Sequence, residues 1–470
     1  MMLQLLISST ARRGALALLL AFVLWAAGSA PLAPAAGAAP HASSAVDEGA
    51  LADSVRQELL HCWRAYVRYA WGHDEVRPLS REFRDWYKQP VLMTPVDALD
   101  ALLLMGFKAQ ADSARALIVE RLSFDRDDRV QVFEVTIRLL GGLLSGYQMS
   151  GDKRLLDLAD SLGTRLLPAF DSATGMPYRY VNLHTGEPSD PRSNPAEIGT
   201  LLLEFGTLAK LTKKPIYYDR AKRAVMQLYE RRSKIGLVGE EIDVETGEWL
   251  NPASHVGGGI DSYYEYLLKC WKLFGDKDCE RMWRTSIAAL NTYVADRSTG
   301  QLWYGEVDMN TGQRTASTFG ALHAFLPGVL ALSGDVTRAR QLESSCFTMW
   351  TLYSIEPELL DYRTMKVLNP AYALRPEIVE SAYILRRVSG DPASLLMGRR
   401  FFRDLVAYCR TDNGYTTLKS VVSKEKGDLQ HSFFLAETLK YLYLLFRPAP
   451  ALAGNDVVFN TEAHPLRRTW

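Results

Sequence analysis

The sequence predicts an all-α protein made of seven helical hairpins. Turn signals divide the chain at intervals of roughly 45 to 62 residues, which is long enough for two helices and their connections. These turns contain Gly106, Gly151, Pro215, Gly275, Gly334, Gly390 and Pro448. Strand-like alternation is scarce. Periodicity alone leaves open whether the hairpins close into a barrel or form an open bundle or solenoid.

Individual segments support this prediction. In residues 130–144 the apolar side chains recur at helical spacing, at Val130, Phe133, Ile137, Leu140 and Leu144. Residues 432–446 are nearly all apolar or aromatic, which predicts a helix that is buried on most sides. Short alternations over 178–183 and 302–307 predict β-hairpins in loops at one end of the helices, where function tends to concentrate.

The composition restricts the class of partner. The 470 residues include 54 basic and 54 acidic side chains, so the formal net charge is zero. This balance argues against binding to nucleic acid or to an anionic membrane surface and favours a neutral partner. Aromatic residues make up 10% of the chain, which suits stacking against sugar rings but suits a large core equally well.

The N-terminal segment is typical of an export signal. Arg12 and Arg13 precede an apolar run over 15–27, which is too short for an ordinary membrane span. We therefore expect residues 1–45 to form a signal and a disordered Ala/Pro-rich leader, with a cleavage site after Ala38. Residues 46–470 are predicted to be a single exported domain, a monomer in periplasm, medium or secretory lumen, with no membrane contact beyond the signal.

The cysteines do not predict a disulfide framework. Five are present, so at least one thiol is unpaired, and none has zinc-finger spacing. Cys270 and Cys279 are near enough in sequence for a local bridge, but their spacing does not require one. The apolar core has to hold the fold.

Several acidic residues are embedded among aromatic residues and glycines. Glu134 and Arg138 stand four apart on a predicted helix, the spacing of an exposed ion pair. Asp261 follows three glycines, which suits a helix N-cap. Pro376 is typical of a first helical position and would place Glu377 in the opening turn, beside the positive end of the helix dipole.

Two further features concern buried charge. Glu437 lies within the apolar segment 432–446, where a carboxylate needs a cation, a metal ion or a polar network, and Lys440 is the simplest partner. Near the C-terminus, Thr461, Glu462 and His464 follow an apolar triplet. That pattern fits either a polar plug entering an apolar enclosure or a surface tail.

Together these segments resemble glycoside hydrolase family 47, the class I α-mannosidases, over nearly the whole exported chain. Within this family, the sequence of these segments is most similar to the EDEM-like branch of degradation-enhancing relatives. The matching stretches include YAWGHDEVRPLS (69–80), VFEVTIRLLGGLL (132–144), IDSYYEYLLK (260–269), LRPEIVESAYIL (374–385) and FNTEAHP (459–465). The resemblance implies an (α/α)7 barrel, one Ca²⁺ ion, and hydrolysis with inversion at the anomeric carbon.

The resemblance also implies roles for individual residues. Thr461 would bind Ca²⁺ directly, and water molecules would link the ion to Glu377, Glu380, Glu437 and Glu462. The implied catalytic residues are Glu134, Asp261 and Glu377. The residues implied to contact the mannose are Arg138, Glu197, Arg375, Phe433 and Glu437.

An inverting glycosidase needs one protonated carboxyl and one ionised carboxylate, about 6.5 to 9.5 Å apart. We predict Glu377 as the base, because a helix N-terminus and a nearby Ca²⁺ both favour its charged form. We predict Glu134 as the acid, acting directly or through a water molecule, because apolar neighbours would desolvate it, although Arg138 would oppose that effect. Asp261 is the rival acid.

The chain departs from the family pattern at two positions. Gly259 stands where the Golgi and endoplasmic-reticulum enzymes carry Leu or Arg, a position that helps to choose the glycan branch. Ala324 replaces one cysteine of the family disulfide, so Cys346 has no partner of that kind. Branch preference therefore stays open.

The predicted function is calcium-dependent exo-α-1,2-mannosidase activity on mannose-containing oligosaccharides. The alternative is a mannose-binding EDEM-like lectin with little or no turnover. A carbohydrase or lyase acting on uronic polymers is a third possibility, which the neutral charge and the implied binding of calcium by Thr461 argue against.

Overall fold

The computed structural model describes residues 47–447, 452 and 456–468. The predicted signal and leader lie outside these residues. The α-helices of the described part are α1 (Glu48–Tyr69), α2 (Met93–Leu104), α3 (Lys108–Arg121), α4 (Val132–Glu134), α5 (Gly141–Ser150), α6 (Lys153–Leu166), α7 (Pro195–Gly199), α8 (Leu202–Thr212), α9 (Ile216–Glu230), α10 (Asp261–Phe274), α11 (Lys277–Ala289), α12 (Leu326–Ser333), α13 (Val336–Tyr353), α14 (Glu377–Ser389), α15 (Pro392–Tyr408) and α16 (Leu439–Phe446). Among these residues, no helix combines the length and the apolar character that crossing a membrane would require.

The longer helices form two concentric rings. The inner ring consists of α2, α5, α8, α10, α12, α14 and α16, each packed against the next. Each inner helix pairs with an outer helix, in the pairs α2/α3, α5/α6, α8/α9, α10/α11, α12/α13, α14/α15 and α16/α1. The first and last helices therefore pack together, and residues Phe434–Thr438, which lead into α16, pack against α2 and close the inner ring. The fold is the predicted (α/α)7 barrel, and the open bundle and solenoid are wrong.

Two predicted helices are interrupted by π-helical turns. The segment 130–144 begins with a strand residue at Val130, and the helix then widens into π1 (Val135–Leu140) before α5. The helix predicted over 432–446 contains π3 (Phe434–Thr438) before α16. A further π-helical turn, π2 (Leu290–Val294), and two 3₁₀ turns (Leu167–Phe170 and Ala321–Phe325) complete the helical elements of the described residues. Inserted π turns often occur at functional sites.

Short strands occupy the loops that lead from each outer helix to the next inner helix. They are β1 (Glu75–Arg77), β2 (Glu82–Arg84), β3 (Arg129–Gln131), β4 (Tyr180–Asn182), β5 (Pro188–Ser189), β6 (Arg192–Ser193), β7 (Glu241–Asp243), β8 (Trp249–Asn251), β9 (Ala253–Ser254), β10 (Ala295–Asp296), β11 (Trp303–Tyr304), β12 (Glu306–Asp308), β13 (Arg314–Ala316), β14 (Thr318–Phe319), β15 (Leu359–Asp361), β16 (Lys366–Asn369), β17 (Arg410–Thr411), β18 (Gly414–Tyr415), β19 (Leu418–Ser420) and β20 (Glu425–Lys426). All these loops lie at the same end of the barrel, hereafter the strand end. The predicted hairpins at 178–183 and 302–307 correspond to β4 and to β11 with β12.

The chain ends in a hairpin that enters the barrel. Strands β21 (Val457–Phe459) and β22 (Pro465–Arg467) pair antiparallel and contact the inner helices α10 and α5. Thr461 and the residues around it are enclosed, and His464 is fully buried. The polar plug is confirmed and the surface tail is wrong.

Candidate active site

A cavity opens at the strand end, inside the inner ring, and encloses about 1040 Å³ including its mouth. Every predicted site residue lines this cavity: Glu134, Arg138, Glu197, Asp261, Arg375, Glu377, Glu380, Phe433, Glu437, Thr461 and Glu462. These residues come from four inner-ring segments, a loop helix and the terminal hairpin. Their roles stay predictions, but the barrel brings all of them together.

The segment around π1 supplies Glu134 and Arg138. The Arg138 guanidinium donates to Glu134 at 2.8 Å, contacts Glu462, and lies 3.7 Å from Asp97. The Arg138 side chain is only 10% exposed, so the pair is part of a buried network and not a surface ion pair. Glu134 is 22% exposed and accepts from this guanidinium, and its predicted role as the acid stays a prediction.

The glycine segment 257–259 delivers Asp261 to the cavity. Gly259 has φ +89°, a conformation that favours glycine, and α10 begins two residues later. The N-cap is Ile260, so the predicted N-cap role of Asp261 is wrong; its carboxylate instead accepts from the backbone N–H of Ser262 at 2.8 Å. Burial raises the pKa of Asp261 to about 7, so a substantial fraction of this carboxyl is protonated near neutrality.

Glu377 opens α14 after a strained turn. Leu374 adopts φ +65°, unusual for a residue with a side chain, and Pro376 precedes the first helical residue. Burial raises the pKa of Glu377 to about 8, with Glu358 and Asp261 adding to the effect and the Arg375 guanidinium opposing it. The helix N-terminus by itself therefore does not hold Glu377 ionised, and the expected contribution of a nearby Ca²⁺ stays a prediction.

Glu437 and Glu380 sit deeper in the cavity. Burial raises the pKa of Glu437 well above its usual range, and neighbouring carboxyls add to this. Lys440 is not its partner: the ammonium bonds Asp100 at 2.6 Å and the Ala463 carbonyl at 2.7 Å. Glu380 accepts from the Tyr441 hydroxyl at 3.1 Å and lies 3.4 Å from a buried lysine ammonium.

One side chain holds the turn of the terminal hairpin. The side-chain oxygen of Asn460, Oδ1, accepts from the backbone N–H of Glu462 at 3.0 Å and from that of His464 at 2.7 Å. Its amide group donates to the Ile137 carbonyl at 2.9 Å and to Glu204 at 2.7 Å. These four hydrogen bonds fix Thr461 and Glu462 at the base of the cavity.

Beneath the cavity the buried charges are paired. His464 lies 2.7 Å from Asp100 and 3.4 Å from Asp97, and these carboxylates raise the pKa of the imidazole to about 9 against the opposing effect of burial. Lys440 completes the cluster through Asp100. We call Asp97, Asp100, Lys440 and His464 the base network.

The side walls carry an aromatic ring and a strongly bonded carboxylate. Phe433 lies between two guanidinium groups, with the Arg138 carbon 5.3 Å and the Arg375 carbon 6.0 Å from the ring centre. Glu197 accepts from Arg179 at 2.9 Å and from Gln131 at 2.8 Å. The sequence analysis did not find Arg179 or Gln131, because no local pattern links either residue to Glu197.

The donor set at the cavity base fits a hard cation. Glu377, Glu380, Glu437 and Glu462 bring four carboxyls to one enclosure, and one buried Glu377 oxygen has no hydrogen-bond partner in the described structure. Thr461 adds a hydroxyl and a carbonyl on a fixed turn. Oxygen-only donors with excess negative charge are what Ca²⁺ prefers.

The sequence profile described as "Glycosyl hydrolase family 47" matches residues 58–468. The chain belongs to this family. The family 47 assignment confirms the resemblance inferred from the motifs.

Similar proteins include mannosidases and degradation-enhancing relatives. Alpha-mannosidase I MNS5 of Arabidopsis thaliana is 36% identical over 444 residues, which is 88% of this chain and 76% of that protein. Human ER degradation-enhancing alpha-mannosidase-like protein 2 is 35% identical, with 90% and 78% coverage. The structure of an alpha-1,2-mannosidase from Trichoderma reesei superimposes with a TM-score of 0.82 at 27% identity, covering 89% of this chain and 99% of that one.

Proposed function

We propose that this family 47 protein is a calcium-dependent exo-α-1,2-mannosidase that inverts the anomeric configuration. The observation that carries the proposal is the convergence of every predicted acidic residue on one cavity. The similarity to an alpha-1,2-mannosidase supports the linkage. A cavity enclosed by the inner ring favours attack at a chain end.

The mannose would be held by an aromatic platform and charged hydrogen-bond partners. Phe433 would contact the apolar side of the pyranose with the part of its ring that borders the cavity, and Arg375 is fixed by Glu358 through contacts of 3.1 to 3.3 Å. Glu197 is fixed by Arg179 and Gln131 and presents its carboxylate to the sugar hydroxyls. Groups held by other side chains lose little freedom on binding.

Inversion requires a base that accepts a proton from water and an acid that protonates the leaving oxygen. We assign the base to Glu377. A bound Ca²⁺ would keep Glu377 ionised at neutral pH and bind the sugar hydroxyls. For the acid, burial and contacts favour Asp261, whose pKa burial raises to about 7, over Glu134, which is bonded to Arg138.

The test is digestion of α-1,2-mannobiose followed by ¹H NMR, with calcium and with excess EDTA. We expect β-mannose as the first product and no turnover in EDTA. Full activity in EDTA would refute the calcium role, and α-mannose as first product would refute inversion. The alternative, a mannose-binding lectin, is motivated by the similarity to degradation-enhancing relatives. Mannose binding without hydrolysis, with the same affinity in Glu377→Gln, would select it.

We further propose that the protein acts in an exported compartment, as a monomer. The N-terminal pattern Arg12-Arg13 before an apolar run supports export. N-terminal sequencing of the secreted protein, with a cleavage site between residues 30 and 45 expected, tests this part of the proposal.

A further inference from the structure

The side chains of Cys270 and Cys279 lie close together at the end of the barrel opposite the cavity. Cys270 lies near the C-terminus of α10, and Cys279 lies in the first turn of α11. Gly275, with φ +71°, reverses the chain between them. The two sulfur atoms and a carboxylate oxygen of Asp276 lie within 4.8 Å of one another, and both thiols are buried and free.

The carboxylate of this group already has its partners. One Asp276 oxygen accepts from the backbone N–H of Asp278 and of Cys279, both at 2.9 Å, which caps α11. The other accepts from the Tyr218 hydroxyl and from the Lys222 ammonium. A divalent ion would have to displace the lysine cation, so the two sulfur atoms remain as the reactive pair.

We propose that Cys270 and Cys279 are a thiol-oxidation site that closes into a disulfide joining α10 to α11. A disulfide needs sulfur atoms about 2.05 Å apart and Cα atoms usually 4.4 to 6.8 Å apart. Adjacent helices of one hairpin bring two cysteines close enough when their side chains face each other, as these do. Closure requires the sulfur atoms to approach without moving either helix out of the barrel wall.

The reaction is thiol–disulfide exchange with a low-molecular-weight disulfide such as oxidised glutathione. The Cys279 thiolate attacks one glutathione sulfur, and the first glutathione leaves as a thiolate that takes up a proton. The Cys270 thiolate then attacks the Cys279 sulfur, and the second glutathione leaves. Two protein S–H bonds are replaced by one S–S bond, and one glutathione disulfide is reduced to two thiols.

The surroundings determine how fast this exchange occurs. The neighbouring Cys270 thiol and burial raise the pKa of Cys279, while the Lys222 ammonium opposes this by stabilising the thiolate. The reduced pair is therefore protonated at neutral pH, and oxidation is slow. A surface depression reaches Tyr218 and Asp276, which contact Cys270 and Cys279, but neither cysteine lines it. Both thiols are fully buried, so exchange requires local opening of the turn between α10 and α11.

The bond would stabilise the barrel without changing the cavity. Cys270 is nine residues from Asp261 on the same helix, or roughly 13 Å along the axis. The closed loop spans residues 270–279 and is short, so the expected gain in Tm is about 3 °C for a protein of this size. This inference does not depend on the proposed mannosidase function.

The test uses the whole protein, reduced or incubated with oxidised glutathione at pH 8.5, then denatured in an alkylating reagent and mapped by mass spectrometry. We expect a cross-linked peptide pair joining Cys270 to Cys279, while Cys62, Cys346 and Cys409 are alkylated. The oxidised protein should melt about 3 °C above the reduced protein. Cys279→Ser should abolish this redox-dependent difference, and the equally buried Cys409→Ser should retain it.

Three results would overturn the proposal. The first is complete alkylation of all five cysteines after oxidation of the wild-type protein, which needs no variant to fold. The second is a cross-link between other cysteines. The third is one equivalent of zinc per chain that protects the two thiols and disappears in Cys270→Ser, which would make the cluster a metal site.

Discussion

The two ends of the barrel differ in the length of their connecting segments and in how far apart in sequence the contacting residues lie. At the end opposite the cavity, hereafter the turn end, the connections from inner to outer helices are short and repeat one local design. A glycine with positive φ ends the inner helix, and an aspartate caps the outer one, as at Gly151-Asp152, Gly275-Asp276, Gly334-Asp335 and Gly390-Asp391. Everything needed for such a turn lies within a few residues.

At the strand end the connections are long and irregular, and the functional groups come from distant parts of the chain. The base network joins Asp97 and Asp100 to Lys440 and His464 across more than 300 residues. In the cavity above it, one buried oxygen of Glu377 has no hydrogen-bond partner in the described structure. The comparison shows that stability is distributed in local turns and paired charges, whereas the cavity gathers several buried carboxyls in one place where a ligand can bind them.

The largest expected effect is at the strand end. Glu377→Gln keeps the volume and the burial of the side chain but removes the proposed base, so kcat should fall about 10⁴-fold, equivalent to about 5 kcal/mol. Steady-state kinetics on α-1,2-mannobiose measure this.

Glu343→Gln is the matched control. Glu343 is fully buried and its oxygens have no hydrogen-bond partner in the described structure, but it does not line the cavity. Its activity should stay within about twofold of wild type, since the side chain does not touch the reacting groups. Equal losses in the two variants would mean that burial, and not position in the cavity, causes the effect.

The next effect concerns stability. Lys440→Met leaves Asp100 with one partner fewer in a fully buried site, so the free energy of unfolding should fall by about 3 to 5 kcal/mol. Urea denaturation measures this loss. Adding Asp100→Asn should restore part of it, and Lys108→Met, which breaks an exposed pair with Asp112, should cost less than about 1 kcal/mol.

The third prediction uses pH. Burial raises the pKa of Glu377 from 4.5 to about 8 and that of Asp261 from 3.8 to about 7. The folded protein thus binds more protons than the unfolded chain between about pH 4 and 8, and its stability without calcium should fall as the pH rises through this window.

Calcium binding should reverse this trend, because it requires ionised carboxylates and releases their protons. The apparent calcium affinity should tighten about tenfold per pH unit for each proton released, up to about pH 8. Thermal shifts with and without calcium at pH 5 and pH 8 measure this. An equal calcium-induced shift at both pH values would contradict the assignment of the cavity acids as ligands.

The smallest effect is at the turn end. Asp335→Ala removes the oxygen that accepts from the backbone N–H of Arg338 and should destabilise the protein by about 1 kcal/mol, with unchanged kcat. Asp335→Asn retains the cap and should be nearly neutral. A loss of activity in Asp335→Ala would show that the two ends are coupled.

The sequence predicted the helical hairpins and the set of residues that line the cavity, but it did not predict the side-chain contacts between them. Glycine turns and helical periodicity are local, so the hairpins followed from short windows of sequence. The motif resemblance then named Glu134, Asp261 and Glu377 together. It did not show that Lys440 forms its ion pair with Asp100 and not with Glu437. The closeness of Glu437 and Lys440 in sequence cannot reveal that a partner lies more than 300 residues away.

The π-helical turns were missed for a related reason. Residues 135–140 and 434–438 have ordinary helical patterns, and widening the helix depends on what packs against it. The raised pKa values of Asp261 and Glu377 could not be predicted from the sequence either, because these groups are buried only when the cavity is assembled.

The sequence by itself determined the local parts of this protein: the glycine and aspartate turns, the apolar helix faces, and the family to which the motifs belong. Only the tertiary structure decided that the ring closes through α1 and α16, that the terminal hairpin enters it, and which buried charges are paired. The reason is physical: turn and helix preferences act over a few residues, whereas closure, burial and charge pairing depend on segments that meet only when the whole chain has folded.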